Sequence, residues 1–313
     1  MNTSTTTDKS RGRNTVPLTA EASQCCATRY PLLLVHGAAV RDGARERSWG
    51  RIPEALRAHG AQVYFGGHDA WGTPATNAVQ LLERLPEILA ESGATKINII
   101  AHSKGGLDVR HLLTLLPEDE LPLASMTTIG TPHQGFRFLD LLFSRVRPAF
   151  VPLAFVINNL SRKHGDENPD FAGACEYLSA SYMRRCNALQ PSLSPLYSQQ
   201  FASSLHGFYD NISSFAAYLF IRMAEGPNDG LVPLQSAGYD NFRGELTTSA
   251  GRGVAHSLLV DRKRQPFSRL RLPGASRSVE ARFADEARRV PLQVADILDF
   301  YLGLVSELKA LGY

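Results

Sequence analysis

Three residues of the right types, in a telling order, set the first expectation. Ser103 stands in Ile97-Asn98-Ile99-Ile100-Ala101-His102-Ser103-Lys104-Gly105-Gly106, Asp229 in Glu225-Gly226-Pro227-Asn228-Asp229-Gly230, and His256 in Val254-Ala255-His256. A serine hydroxyl is a weak nucleophile until a positioned base takes its proton. That base is normally histidine, with a carboxylate fixing its tautomer. The apolar, β-branched run before Ser103 reads as a buried strand, and Leu107 to Leu116 as a helix. A serine between strand and helix, with small residues two before and two after, is a strained elbow that exposes its hydroxyl. Ala101 replaces the first glycine of Gly-x-Ser-x-Gly and adds only a methyl group. The anionic intermediate of acyl transfer needs preorganised N–H donors. The backbone N–H of Lys104 is one candidate, and that of Ala38, in His36-Gly37-Ala38, is the other.

Other assignments compete. Asn-Asp-Gly is common turn chemistry, so Asp229 alone reads as a turn residue. Asp210, Asp240 and Asp261 are rival acids; His133, His164 and His206 are rival bases. His133, in Gly130-Thr131-Pro132-His133-Gln134-Gly135, is the strongest rival, but it precedes the acid. His102 is expected to point inward and support its neighbour. The Lys104 side chain reads as incidental, or as a mild positive influence near the oxyanion. No Cys/His or His/Glu cluster has convincing metal-ligand spacing, and neither a phosphate loop nor a dinucleotide fingerprint is present.

The elements that must position these groups follow from periodicity. Tyr30 to Val35, Gln62 to Phe65, Ile97 to Ala101 and Ser125 to Ile129 read as strands, with helices over Trp49 to His59 and Thr76 to Glu91. Pro86 is expected to kink or break the second helix, and Gly93 to stop it. This alternation predicts an α/β fold, a mostly parallel central sheet with helices on both faces. Phe136 to Asn159 is strongly apolar and has two readings: a helical cap buried against the body, or a mobile lid whose apolar face meets a greasy substrate. Glu176 to Leu189 reads as helical, Ser194 to Asp210 as a return to the sheet, and Ser213 to Met223 as helix or strand. Val294, Leu298, Tyr301, Val305 and Leu308 mark a closing helix. Residues 1–29 read as a flexible tail, 30–313 as one domain, and 136–168 as the cap insertion.

Bulk properties narrow the partners. A chain of 313 residues, 43% apolar and 20% charged, suits a globular protein with a sizeable core. A net charge of +3 gives no reason to expect a nucleic-acid partner, although Arg262 to Arg271 and Ser276 to Arg289 are rich in arginine. No apolar run reaches the ~20 residues of a membrane span. Met1 to Thr28 lacks the apolar region of a signal peptide, which favours the cytoplasm. Four cysteines do not make a disulfide framework; if Cys175 and Cys186 share one continuous helix, they stand roughly 16 Å apart, too far for a bridge. Reduced thiols are expected.

Tyr30-Pro31-Leu32-Leu33-Leu34-Val35-His36-Gly37, Trp49-Gly50-Arg51-Ile52-Pro53-Glu54-Ala55-Leu56, Ala101-His102-Ser103-Lys104-Gly105-Gly106 and Ile129-Gly130-Thr131-Pro132-His133 lie in register with a known pattern. With them the chain resembles bacterial triacylglycerol lipases, α/β-hydrolases typified by secreted Pseudomonas and Burkholderia enzymes. The likeness is dense from Tyr30 to about Gly135 and looser at Tyr182-Met183 and Gly226 to Val232. The resemblance implies hydrolysis of carboxylic esters of lipids under a lid that meets a lipid–water interface, and secretion as the alternative location. It places the nucleophile on Ser103, the acid on Asp229, the base on His256 and the oxyanion donors on Ala38 and Lys104. Many of these enzymes hold calcium partly through an aspartate two residues after the histidine. Leu258 stands there, so no cofactor is expected, with calcium the one ion the resemblance leaves open. An acyltransferase or an intracellular polyester depolymerase uses the same triad, and a hydrolase-fold binding protein keeps the pocket with little turnover.

Overall fold

The computed structural model describes residues 24–42, 48–190, 192–207, 210, 215–262, 290 and 292–313. Among these, β1 (Leu32–Val35), β2 (Val63–Phe65), β3 (Ile97–His102), β4 (Leu123–Ile129), β5 (Tyr197–Ser203), β6 (Phe242–Thr248) and β7 (Gln293–Val294) form one sheet. Its order is β2-β1-β3-β4-β5-β6-β7, with every neighbouring pair parallel. The helices are α1 (Ile52–Ala58), α2 (Pro74–Ser92), α3 (Lys104–Leu112), α4 (Arg137–Lys163), α5 (Phe171–Tyr177), α6 (Ala180–Leu189), α7 (Phe215–Glu225), α8 (Leu234–Ala237) and α9 (Ile297–Ala310).

A strand covered on both faces must be apolar at consecutive positions. β1 meets that demand: Leu32 and Leu34 join one core with Trp49, Ile52, Phe300 and Leu304, while Leu33 and Val35 join the other with Leu81, Leu85 and Val109. α1 and α9 therefore cover one face, and α2 and α3 the other. α2 runs unbroken through Pro86. The buried stripe of Ala78, Leu81, Leu85 and Ile88 spans the proline, so packing on both sides outweighs the one backbone bond lost. Gly93 ends the helix in the left-handed region at φ 68°.

Several expectations need correction. The tail does not extend to residue 29: Cys26 is fully buried, its N–H donates to His59 O at 2.9 Å, and it packs in the core beside Leu302. Residues 1–23 lie outside the described residues. The helix after Ser103 starts at Lys104 rather than Leu107. Cys175 and Cys186 lie on separate helices, because the chain breaks at Leu178-Ser179 and the Ser179 hydroxyl caps α6. All four cysteines are free. Ser213 to Met223 resolves to helix α7 over its described part. β6 and β7 were not expected, since Arg243, Gly244 and Glu245 leave β6 polar and half-exposed. The arginine-rich stretches beyond Arg262 lie outside the described residues.

The cap is one long helix. α4 packs on α5, α6 and α7. Val151, Phe155 and Val156 remain 66%, 69% and 53% exposed. Its entry is fastened where Phe136 bridges Ser179 and Asp140 accepts the Ser181 N–H and hydroxyl. Its exit is fastened by Asp166, which accepts the N–H groups of Ala70 and Trp71 at 3.0 Å, and by Asp69, which accepts those of Glu167 and Asn168.

Helix α3 and strand β1 approach one another closely at Gly105. A Cβ there falls 2.7 Å from Val35 O and closer still to His36 O, both rigid backbone atoms. Gly105→Ala is therefore expected to destabilise the fold by about 1–3 kcal/mol, the usual cost of overpacking, measured as a lower urea midpoint at unchanged slope.

Candidate active site

β3 ends at His102 and α3 begins at Lys104, so Ser103 alone makes the turn. Its φ of 54° and ψ of −131° are conformations a non-glycine residue adopts only under strain, of order 1–3 kcal/mol. The turn is held by Ser103 N–H to Ile129 O at 3.0 Å and Gly106 N–H to Ser103 O at 3.1 Å. A Cβ at Gly106 would stand 2.7 Å from Thr131 Cγ2, so both glycines after the serine serve close packing. Ala101 is fully buried and its methyl is accommodated.

The structure brings the three sequence-predicted residues together. His256 Nδ1 lies 2.7 Å from Asp229 Oδ2, and His256 Nε2 lies 2.9 Å from Ser103 Oγ. A carboxylate only accepts, so Nδ1–H donates to Asp229 and Nε2 accepts the serine proton. Asp229 makes the contacts of a turn residue and those of a histidine partner at once. Its Oδ1 accepts the N–H groups of Leu231 and Val232 at 3.0 and 2.7 Å, closing the turn, while Oδ2 takes the imidazole. The backbone adds a further tie, His256 N–H to Asp229 O at 2.9 Å.

The rivals are occupied elsewhere. Asp210 accepts the N–H of His206 and the Arg252 guanidinium, Asp240 the Leu193 N–H and the Ser198 hydroxyl, and Asp261 the Arg51 guanidinium. His133 is fully buried, 2.9 Å from Thr128 Oγ1 and stacked on Tyr239. His206 meets Gly251 O, and His164 meets Leu160 O. His102 does point inward, its ring centre 4.5 Å from that of His256.

Gly37 presses on Ser103, for a Cβ there would stand 2.7 Å from the serine Cβ. His36 Nδ1 fixes the Gly37 carbonyl at 2.8 Å, which sets the peptide leading to Ala38 beside the serine. The Lys104 N–H is among the unpaired donors at the start of α3. The Lys104 side chain is a surprise to sequence reasoning. It is buried, with Nζ 2.8 Å from Asp108 Oδ2 and 3.0 Å from Gly72 O. Burial raises the Asp108 carboxyl above its ordinary range against the pull of that ammonium. The spacing Lys104, Asp108 at i, i+4 was the available signal.

His36, Asp42 and His68 are the one grouping of metal-ligand types among the described residues. The two rings stack 3.8 Å apart at 11°, so their in-plane lone pairs run parallel and cannot converge on one ion. Each Nε2 faces the other's carbonyl, at 3.1 and 3.2 Å. The Leu258 side chain packs against the core and carries no oxygen, and its carbonyl accepts the Asp261 N–H, so a calcium held through that side chain does not fit.

A cavity of about 1020 Å³ lies one residue beyond Ala38, between Ala39, Val40, Arg41 and Trp71 and the Ile157 and Leu160 end of α4.

A parallel sheet of this order, a strained serine after β3, and an acid and histidine on later loops define the α/β-hydrolase fold. Solved structures agree on the fold: Bacillus licheniformis lipase BlEst2 in its mature form (TM-score 0.55, 21% identity, 76% of this chain and 88% of that one) and the metagenomic carboxyl esterase MGS0156 (0.58, 14%, 96% and 79%). Within that class, the resemblance to bacterial triacylglycerol lipases is borne out over the matched part of the chain. The triacylglycerol lipase of Burkholderia plantarii is 40% identical over 131 residues, covering 40% of this chain and 36% of that protein. That of Pseudarthrobacter phenanthrenivorans is 41% identical over 126 residues, covering 39% of each. Triacylglycerol lipase 2 of Saccharomyces cerevisiae is 26% identical over 277 residues, 85% of this chain and 74% of that one. The chain thus spans little more than a third of the length of the bacterial relatives it matches. A family model described as "Domain of unknown function (DUF7379)" matches residues 3–141.

His68, His102 and His133 are each pushed well below the ordinary histidine value, in every case chiefly by burial. Such a group takes up its proton only on unfolding, so stability is full above about pH 6.5 and declines as the pH falls below it. Urea titrations from pH 7.5 to 5 are expected to show a decline approaching about 1.4 kcal/mol per pH unit per histidine. A flat profile over that range contradicts neutral burial.

Proposed function

We propose that this chain is a serine hydrolase of carboxylic esters whose substrates are acyl esters of lipids. The continuous hydrogen-bonded line from Asp229 through His256 to Ser103, at 2.7 and 2.9 Å, carries the reading. Ser103 Oγ attacks the ester carbonyl while His256 Nε2 takes its proton, and Asp229 holds the imidazolium that results. The N–H groups of Ala38 and Lys104 receive the developing oxyanion. His256 returns the proton to the departing alcohol, and water then resolves the acyl-enzyme by the same route. No step needs a metal. The cavity beyond Ala38, lined by Trp71, Ile157 and Leu160 on one hand and by Arg41, His164 and Asp166 on the other, receives part of the acyl ester. The exposed apolar middle of α4 supports a lid that meets a lipid–water interface, the similarity to lipases pointing the same way.

Ser103→Ala is expected to lower ester hydrolysis by about 10⁴-fold or more and to abolish labelling by a fluorophosphonate probe. His256→Ala is expected to cost a comparable factor, whereas His133→Ala lowers stability and leaves turnover per folded molecule. Rates on a series of p-nitrophenyl esters and on emulsified triglycerides read out the preferred substrate. Loss of activity in the His133 variant alone, or full activity in Ser103→Ala, overturns the assignment.

A further inference from the structure

Trp49-Gly50-Arg51 precedes α1 and is far in sequence from all three site residues, yet it ends against the turn that carries His256. Gly50 has φ +54°, and a Cβ there would lie 2.6 Å from Asp261 Oδ2. Arg51 donates to that carboxylate three times. Its backbone N–H and its Nε reach Oδ2, and Nη2 reaches Oδ1, all at 2.8 Å. The rest of the fork reaches Asp296, the N-cap of α9, at 3.0 and 2.8 Å.

Asp261 is buried, sits at φ 55°, and lies five residues after His256. Between them, Leu259 N–H donates to His256 O at 3.3 Å, Asp261 N–H to Leu258 O at 3.1 Å, and Leu259 O accepts the Tyr301 hydroxyl at 2.9 Å. The turn starting at His256 is a single 3₁₀ segment, His256–Leu258. So short a segment supplies little geometry of its own. A buried carboxylate on a strained backbone persists only where its surroundings over-determine it. Here the guanidinium does so.

We propose that Arg51 is a positioning residue for His256: by gripping Asp261 it fixes the 256–261 turn and holds Nε2 within reach of Ser103 Oγ. The inference rests on the reading of Ser103, Asp229 and His256 as one catalytic unit. A carboxylate gripped through a planar fork is held in orientation as well as distance, which the ammonium of lysine cannot reproduce. Misplacement of a catalytic group by about 1 Å costs up to about 100-fold in rate.

Arg51→Lys is therefore expected to lower kcat by about 10- to 100-fold with KM within about twofold of the parent. Fluorophosphonate labelling of Ser103 slows by the same factor. The downfield proton resonance of the His256–Asp229 bond broadens or moves upfield. Asp261→Asn, a milder change that keeps one acceptor, is expected to lose about 3- to 10-fold in kcat, and it carries the test if the arginine variant does not fold. Arg243→Lys serves as the control. It weakens an ion pair to Glu307 between β6 and α9, at 2.9 Å, and is expected to lower the thermal midpoint with kcat unchanged. The inference is overturned if Arg51→Lys and Asp261→Asn keep kcat within about twofold, or if Arg243→Lys loses as much. A parent protein whose Ser103 resists the probe sinks the catalytic reading itself, a result separable from either.

Discussion

The contact that everything near Ser103 depends on is backbone against backbone: the start of α3 against the carbonyl end of β1. Gly105 has no side chain, so Val35 O and His36 O can lie against it. That proximity forces a one-residue turn and places Ser103 in the left-handed region. The same proximity brings Gly37 onto Ser103, so the serine and the loop leading to Ala38 are set by one packing event. The strain is offset by burial on both sheet faces, where β1, β3 and β4 are buried along their length.

From this contact a buried polar network runs outward to the cap. Lys104 reaches Asp108 and Gly72 O; Asn77 joins Asp108 to Asp69 O; Asp69 and Asp166 then hold the exit of α4. Arg41 lies between Asp69 and Asp166 and donates to Gly67 O, so the loop after β1 shares these anchors. Buried polar groups are tolerable where they are paired, as the charged groups of Lys104, Asp108, Asp69 and Asp166 are here, while Asn77 Oδ1 and Arg41 Nη1 have no hydrogen-bond partner. The elbow, the loop after β1 and the cap exit are thus one hydrogen-bonded body rather than three loops that happen to be near one another.

How much of this was legible in the sequence follows from how local each cause is. β1, β3 and β4 declare themselves because a two-faced burial demands consecutive apolar residues. Ser103, Asp229 and His256 were legible from order and turn chemistry, and the geometry joins them. β6 was hidden because its start is polar and half-exposed, and α7 because an apolar stretch of that length fits helix or strand. The break at Leu178-Ser179 was missed because only tertiary contact with Phe136 shows that the chain must turn there. The inward course of Lys104 was equally illegible: a lysine next to a nucleophile suggests a surface charge until its partners at Gly72 and Asp108 are seen. Asp261 was weighed as an acid for the histidine, whereas Arg51, 210 positions away, takes it.

The cap is tied at both ends, and this restricts how the site can be reached. Asp140 and Phe136 hold one end of α4, and four N–H groups bound by Asp69 and Asp166 hold the other. Bonds of that kind are worth about 1.5–3 kcal/mol each, so releasing either end is a concerted event. Such a helix is a strap rather than a trapdoor. Its low-cost movement is to bow or roll about its length between two fixed posts. The cavity beneath it, between Trp71 and Leu160, is then reached from the side, and the room under the arch limits the bulk of what can pass.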